Sequence, residues 1–153
     1  MSPVRAETLT FDEVAVGDAL PELAVPLTRT LVVATAIASR DYQDVHHDPS
    51  LAVQRGSKDV FMNILSTNGF VGRFVTDWAG PGARIEAVSI RLGAPNYPGD
   101  TMVLTGTVSA VDVPGTRSDG RGVVELSIRG ANSLGDHVTG TVRLSLPRAG
   151  GAA

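Results

Sequence analysis

The sequence predicts an α+β fold, with one long helix packed on a curved antiparallel sheet in a single domain spanning residues 1–153. Three observations predict it. Apolar residues recur at three- and four-residue steps from Phe61 to Ala79. Beyond Gly82 the period drops to two in four successive segments, and turn residues separate those segments. A sheet of that size does not cover the helix and hide its own other face, so a second copy or a partner chain is expected to complete the burial.

Composition sets the bounds. Apolar residues make up 42% and charged residues 19% of the chain, and the mean hydropathy of +0.11 is that of an ordinary globular protein. A net charge of −3 and a pI near 5.5 deny it the electrostatic footprint of a nucleic-acid-binding face. The absence of cysteine excludes disulfides, thiolate zinc sites, iron–sulfur clusters and a cysteine nucleophile. No stretch approaches the roughly 18 apolar residues of a membrane helix; the most apolar run, Phe70 to Val75, is broken by Arg73. The first residues, MSPVRAETLTFDEV, carry acidic side chains where a signal peptide needs an apolar run. The expected location is the cytoplasm, with neither membrane nor nucleic acid as partner. Lys58 is the only lysine, and the arginines are scattered from Arg5 to Arg148, as on a solvated surface.

Taken in order, residues 1–30 read as irregular, with a turn at Gly17-Asp18 and prolines at 21 and 26. Leu27 to Val33 reads as a strand leading into a short helix over Ala34–Ser39. The densest polar cluster follows, Arg40 to Asp48, and Asp48-Pro49 is a helix start with an acidic N-cap and proline at the first helical position. The helix of Phe61 to Ala79 puts Phe61, Ile64, Leu65, Asn68, Val71, Val75 and Trp78 on one largely apolar face and stops at Gly80-Pro81-Gly82. Strands are predicted around Val88–Leu92, Met102–Val108, Val124–Ile128 and Val138–Leu144, as a four-strand meander. Their turns fall at Pro98-Gly99-Asp100, across Val113–Gly122 and at Asn132–Asp136. The glycines from 115 to 122 read as a hairpin, because no strand–turn–helix context surrounds them. Residues 1–9 and 148–153 are expected to fray.

The chemistry concentrates at Asp41 and His46. Five residues apart on a helix they would diverge; on a turn they converge on one small volume. A carboxylate and an imidazole meeting at one water can orient it, take one proton and return a proton to carbon, which a hydration needs. The turn alone also admits Asp41 as a helix cap or a partner of Arg40, and His46 as a packed side chain. His47 beside His46 invites a metal reading with Asp44 and Asp48, but adjacent residues share one ion poorly and no further His or Cys cluster supports it, so no metal is expected. His137 reads as a surface or interface histidine, and Lys58 as a solvated loop lysine that can otherwise meet a phosphate.

The layout resembles the hotdog arrangement, and DYQDVHHD resembles the signature of the MaoC-like, or R-specific, enoyl-CoA hydratases, in which Asp-x-Asn-Pro-x-His carries both catalytic residues. Asp41 and His46 match its acid and its histidine, and Pro95-Asn96-Tyr97-Pro98-Gly99-Asp100-Thr101 looks like the family's P-x-x-P-G-D-T turn. Gln43-Asp44 stands where Asn-Pro is usual, Arg40 where a small residue precedes the aspartate, and Met62-Asn63 where His-Gly opens the central helix. The resemblance implies that the backbone N–H of Asn63 supplies the oxyanion hole for the thioester carbonyl, since a helix N-terminus has the right polarity for it. RDYQDVHHD, GSKDVFMNIL, VTDWAGP and LGDHVTGTVRLS are similar to the small MaoC-like subunits of bacterial steroid side-chain enoyl-CoA hydratases of cholesterol degradation.

That likeness implies a heterotetramer of two small and two larger MaoC-like subunits, an acyl-CoA thioester substrate with the double bond on a shortened steroid side chain, and an associated thiolase-like aldolase. It implies no cofactor, CoA being part of the substrate. The rival readings are a homodimeric hydratase of short linear enoyl-CoA and a non-catalytic acyl-CoA-binding partner. The presence of both Asp41 and His46 weighs against the second. A hotdog thioesterase would lack the Asp-to-His spacing.

Overall fold

Cap and turn chemistry lays out the elements of the computed structural model, which describes residues 4–112 and 120–149. In chain order they are β1 (Ala19–Pro26), α1 (Arg29–Ala38), α2 (Pro49–Gln54), α3 (Ile64–Ala79), β2 (Arg84–Leu92), β3 (Thr101–Val111), β4 (Gly122–Asn132) and β5 (Gly135–Leu146). Single 3₁₀ turns lie at Phe11–Glu13 and Asp44–His46. Each helix begins on a polar side chain that takes an otherwise unpaired N–H: Thr28 from Leu31, Asp48 from Ser50 and Leu51, and Asn63 from Ser66. Helix α3 ends where Gly80 turns to φ +90°, a conformation that suits a residue without Cβ.

The sheet has five antiparallel strands in the order β1-β3-β4-β5-β2. Strands β3, β4 and β5 form a meander, but β2 crosses to the far edge and pairs with β5, from Arg84↔Ser145 to Leu92↔Val138. This corrects the predicted four-strand meander: alternation marks a segment as a strand without saying which neighbour it pairs with. β1 was hidden by its prolines. Pro21 falls within the register shift between Leu20 and Leu23, and Pro26 closes the strand, positions an edge strand tolerates. The stretch Leu27–Val33 is accordingly no strand; Thr28 caps α1, and the helix is already running at Arg29.

Helix α3 lays Val71, Phe74, Val75 and Ala79 on the sheet, where Met102, Leu104, Leu126, Ile128, Val142 and Leu144 meet them in one apolar core. The N-terminal segment packs rather than frays: Arg5 N–H donates to Asp77 O at 3.0 Å, Leu9 N–H to Ala79 O at 2.8 Å, and Leu9 is buried. At the other end Arg148 lies 4.4 Å from the centre of the Phe11 ring and pairs with Asp112, and the Ala149 N–H donates to Asp12. The hairpin expected over Gly115–Gly122 lies largely outside the described residues, as do the outermost tails; β3 and β4 pair up to Val111↔Val124.

Candidate active site

The site forms where the end of α1 meets the start of α3. Helix α1 closes with Arg40 in the left-handed region at φ 57°, where the Arg40 N–H donates to Ile37 O and the Asp41 N–H to Ala36 O, both at 3.0 Å. This paired closure turns the chain sharply and delivers Asp41 at the helix end. The 3₁₀ turn Asp44–His46 then brings His46 back towards it, with Val45 and His46 buried. Asp41 Oδ2 and His46 Nε2 lie 3.5 Å apart, with the two side chains 26% and 7% exposed. The two predicted residues are thus brought together at the edge of the core.

Each has its own anchor. His46 Nδ1 lies 2.8 Å from the Phe61 carbonyl oxygen, which only an N–H can satisfy, so in the neutral ring Nε2 carries a lone pair facing Asp41. The Phe61 ring stands edge-on to the imidazole, with centroids 4.9 Å apart. Asp41 Oδ2 accepts from Asn63 Nδ2 at 2.9 Å, and Oδ1 accepts from the Gln43 N–H at 3.3 Å. The Asn63 amide, and after it the Gln43 N–H, hold the Asp41 carboxyl below its usual range against the opposing effect of partial burial.

Asn63 is the N-cap of α3, is 2% exposed, and presents the helix start to the same corner. Its Oδ1 accepts from the Ser66 N–H at 2.9 Å and from the Ser66 hydroxyl, and its Nδ2 also donates to Ser39 Oγ at 2.9 Å. Its backbone N–H has no protein acceptor among the described residues. The sequence singled out that N–H; the side chain, Ser39 and Ser66 escaped notice, although Asn three residues before Ser at a helix start is a capping pattern.

The remaining candidates are placed by their partners. Asp44, at the unusual position of the signature, is gripped by Arg55, with Nη2 to Oδ2 at 2.8 Å and Nε to Oδ1 at 2.7 Å, and that pairing holds its carboxyl low. His47 faces the Tyr42 carbonyl through Nε2 at 3.0 Å, and Asp48 spends its carboxylate on the cap of α2. Lys58 Nζ sits 5.8 Å from the Tyr97 ring centre, and the Tyr97 hydroxyl is 3.3 Å from Ser57 Oγ. His137 is not at the surface: it is 2% exposed, with Nδ1 2.7 Å from Ala94 O and Nε2 2.8 Å from Thr67 Oγ1. The pairing of the β5 start with the Gly93–Ala94 turn carries it beneath α3, which its place after a Gly-Asp turn did not disclose.

Comparison with known proteins bears on the family and the fold. No family model matches the chain. It is 50% identical over 131 residues, 86% of this chain and 95% of the relative, to the 3-oxo-4,17-pregnadiene-20-carboxyl-CoA hydratase beta subunit of Mycobacterium tuberculosis. A chain in the crystal structure of the ChsH1-ChsH2 complex from the same organism matches with 49% identity and a TM-score of 0.78, over 86% of this chain and 98% of that one. The R-hydratase PhaJ1 from Pseudomonas aeruginosa shares the fold at 19% identity, with a TM-score of 0.80 over 94% of this chain and 89% of its own. Identical at half of 131 aligned positions across nearly the whole of a curated hydratase subunit, and with the hotdog fold of the MaoC-like proteins, the chain belongs to the MaoC-like enoyl-CoA hydratase family.

Proposed function

We infer that the chain is the small, catalytic subunit of a hydratase that adds water across the α,β double bond of a steroid side-chain enoyl-CoA thioester. The observation that carries the reading is the pair of facing acceptors, Asp41 Oδ2 and His46 Nε2, 3.5 Å apart with Nδ1 already committed to Phe61. Two acceptors have no hydrogen bond to make with each other. A water that donates one hydrogen to each satisfies both and is held with its oxygen lone pairs directed outward.

As that oxygen attacks the β-carbon, the pair takes one of its protons, and electron density moves through the α-carbon to the thioester oxygen. The free N–H of Asn63, at the positive end of α3, stabilises that oxygen as its charge develops. The proton held by the pair then passes to the α-carbon, so that one water is added and the dyad returns to its starting state. The reading calls for no cofactor, because CoA is part of the substrate.

The substrate reading is supported by the likeness to the pregnadiene-carboxyl-CoA hydratase subunit. In a substrate of that class the hydroxyl enters at the ring carbon, giving a tertiary alcohol that an associated thiolase-like aldolase can cleave. The likeness to a chain of the ChsH1-ChsH2 complex supports assembly with a larger MaoC-like subunit. A cytoplasmic location accords with the finding that no described helix is long and apolar enough to cross a membrane.

The test is loss of enoyl-thioester ultraviolet absorbance, measured with the chain alone and with the larger subunit, on a steroid enoyl-CoA and on crotonyl-CoA. Activity of the mixture on the steroid is expected, and Asp41→Asn or His46→Ala should lower its turnover by about 10²- to 10⁴-fold while the complex still assembles. Near-normal turnover in either variant overturns the assignment of the pair. Activity of the lone chain on crotonyl-CoA replaces the steroid reading with that of a general homodimeric hydratase.

A further inference from the structure

The Asn63 side chain occupies a position where its four hydrogen-bonding sites are all spoken for. Its two amide hydrogens go to Asp41 Oδ2 and Ser39 Oγ, and its oxygen receives the N–H and the hydroxyl of Ser66. That arrangement fixes which end of the amide is which. Turned over, the amide would set its oxygen against the Asp41 carboxylate and its NH₂ against the Ser66 N–H, two repulsive contacts in a buried place. Ser39 spends its own proton on the Thr35 carbonyl at 2.8 Å, so it can only accept from Asn63.

The amide therefore joins three things that must keep register: the last turn of α1, the first turn of α3, and the Asp41 carboxylate. A helix cap alone would not ask for an amide. Serine, threonine or aspartate caps as well, but none of them offers an acceptor to the helix together with two donors to its surroundings. At Asp41 the consequence is directional. The amide takes one lone-pair direction of Oδ2 and leaves another for the water, just as the Phe61 carbonyl takes one nitrogen of His46 and leaves the other.

We propose that the Asn63 side-chain amide is the positioning group of the reacting pair, holding Asp41 Oδ2 at its separation from His46 Nε2, in addition to capping α3. The proposal rests on the assignment of Asp41 and His46 as the reacting pair, and it concerns a side chain that need not touch the substrate at all. Binding and chemistry separate accordingly. Loss of the amide displaces the water-holding carboxylate while the Asn63 N–H stays in place.

The experiment compares Asn63→Asp, Asn63→Ser and Asn63→Gly in the assembled complex, with Asp41→Asn alongside. Aspartate and serine retain a capping acceptor, and glycine is itself a well-tolerated cap, so the complex should assemble in all three. With a steroid enoyl-CoA, kcat should fall about 10²-fold, as for an angstrom-scale misplacement, with KM nearly unchanged. Asn63→Asp should fall furthest, since it sets carboxylate against carboxylate. Independently of turnover, the ¹³C resonance of the Asp41 carboxyl, whose ionisable neighbour is His46, should titrate at higher pH in Asn63→Ser than in the parent.

If Asn63→Asp keeps normal kcat while Asp41→Asn is inactive, the amide is a cap only and the proposal falls by itself. Unchanged Asp41 titration in Asn63→Ser overturns it as well. If Asp41→Asn is itself active, the reading of the pair fails first and takes the proposal with it.

Discussion

His137 shows how much one buried side chain can carry. Its Nδ1–H donates to the Ala94 carbonyl, so its Nε2 accepts from the Thr67 hydroxyl, and this ties the start of β5 to the first turn of α3. Burial pushes the His137 imidazole below its ordinary 6.5, with the Ala94 hydrogen bond opposing it in part. The unfolded chain protonates that ring near 6.5 and the folded one only at lower pH. Stability from this group is therefore complete above 6.5 and is lost as pH falls from there towards the folded value. Urea midpoints at pH 8 and pH 5.5 should differ more in the wild type than in His137→Gln, which has nothing to titrate at that position. An equal pH dependence in both proteins would place the acid sensitivity elsewhere.

At the scale of the element, α1 ends against its own preference. The residue that closes it in the left-handed region is Arg40, not glycine, and a side chain there costs about 1 kcal/mol or more. The closure persists because both of its hydrogen bonds and the buried corner beyond it require that turn. Arg40→Gly should relieve the strain, less what glycine adds to the freedom of the unfolded chain, for a net gain of about 0.5–1 kcal/mol. On a protein of this size that is a rise in Tm of about 2 °C, measurable by calorimetry. Unchanged or lowered Tm would show that the left-handed turn at Arg40 costs the fold little. Helix α3 is the opposite case: Asn63, the buried face and Gly80 all agree on where it begins, packs and stops.

At the scale of the whole molecule, the sheet is closed at its far side by β2, and that docking depends on close approach. A Cβ at Gly140 would overlap the Ser89 carbonyl oxygen and come within 2.8 Å of Ile90 Cα, where β5 meets β2. Backbone cannot yield as a side-chain tip can, so Gly140→Ala should destabilise the fold by about 1–3 kcal/mol, seen as a lower urea midpoint at unchanged m. Strand β2 is then left as an edge that carries the exposed charges Arg84, Glu86 and Arg91 among exposed Ile85, Ala87 and Ser89, so charge guards it against indiscriminate pairing only in part. The first and last described segments meet beside the start of β2, with Phe11 under Arg148, the Gly82 N–H donating to Thr8 Oγ1 and the Leu9 N–H to Ala79 O.

Much of this was legible in the residues. The 3.6-residue period of α3, its stop at Gly80, the Asp48-Pro49 start and the period-two strands are local signals, because backbone geometry alone decides which side chains share a face. Asp41 and His46 were legible for the same reason: their spacing and the turn between them are local. Four features were not. The strand β1 was masked by prolines that only its place at the sheet edge makes tolerable. The position of β2 beside β5 depends on which edge is left open once the other strands have paired. The burial of His137 and the grip of Asn63 on Asp41 join residues 70 and 22 positions apart, respectively. By itself the sequence determined the long helix, the four later strands, the nearness of Asp41 to His46 and the family. Tertiary structure decided the strand order, the buried histidine and the amide beside the carboxylate, because those depend on which distant groups become neighbours when the core closes.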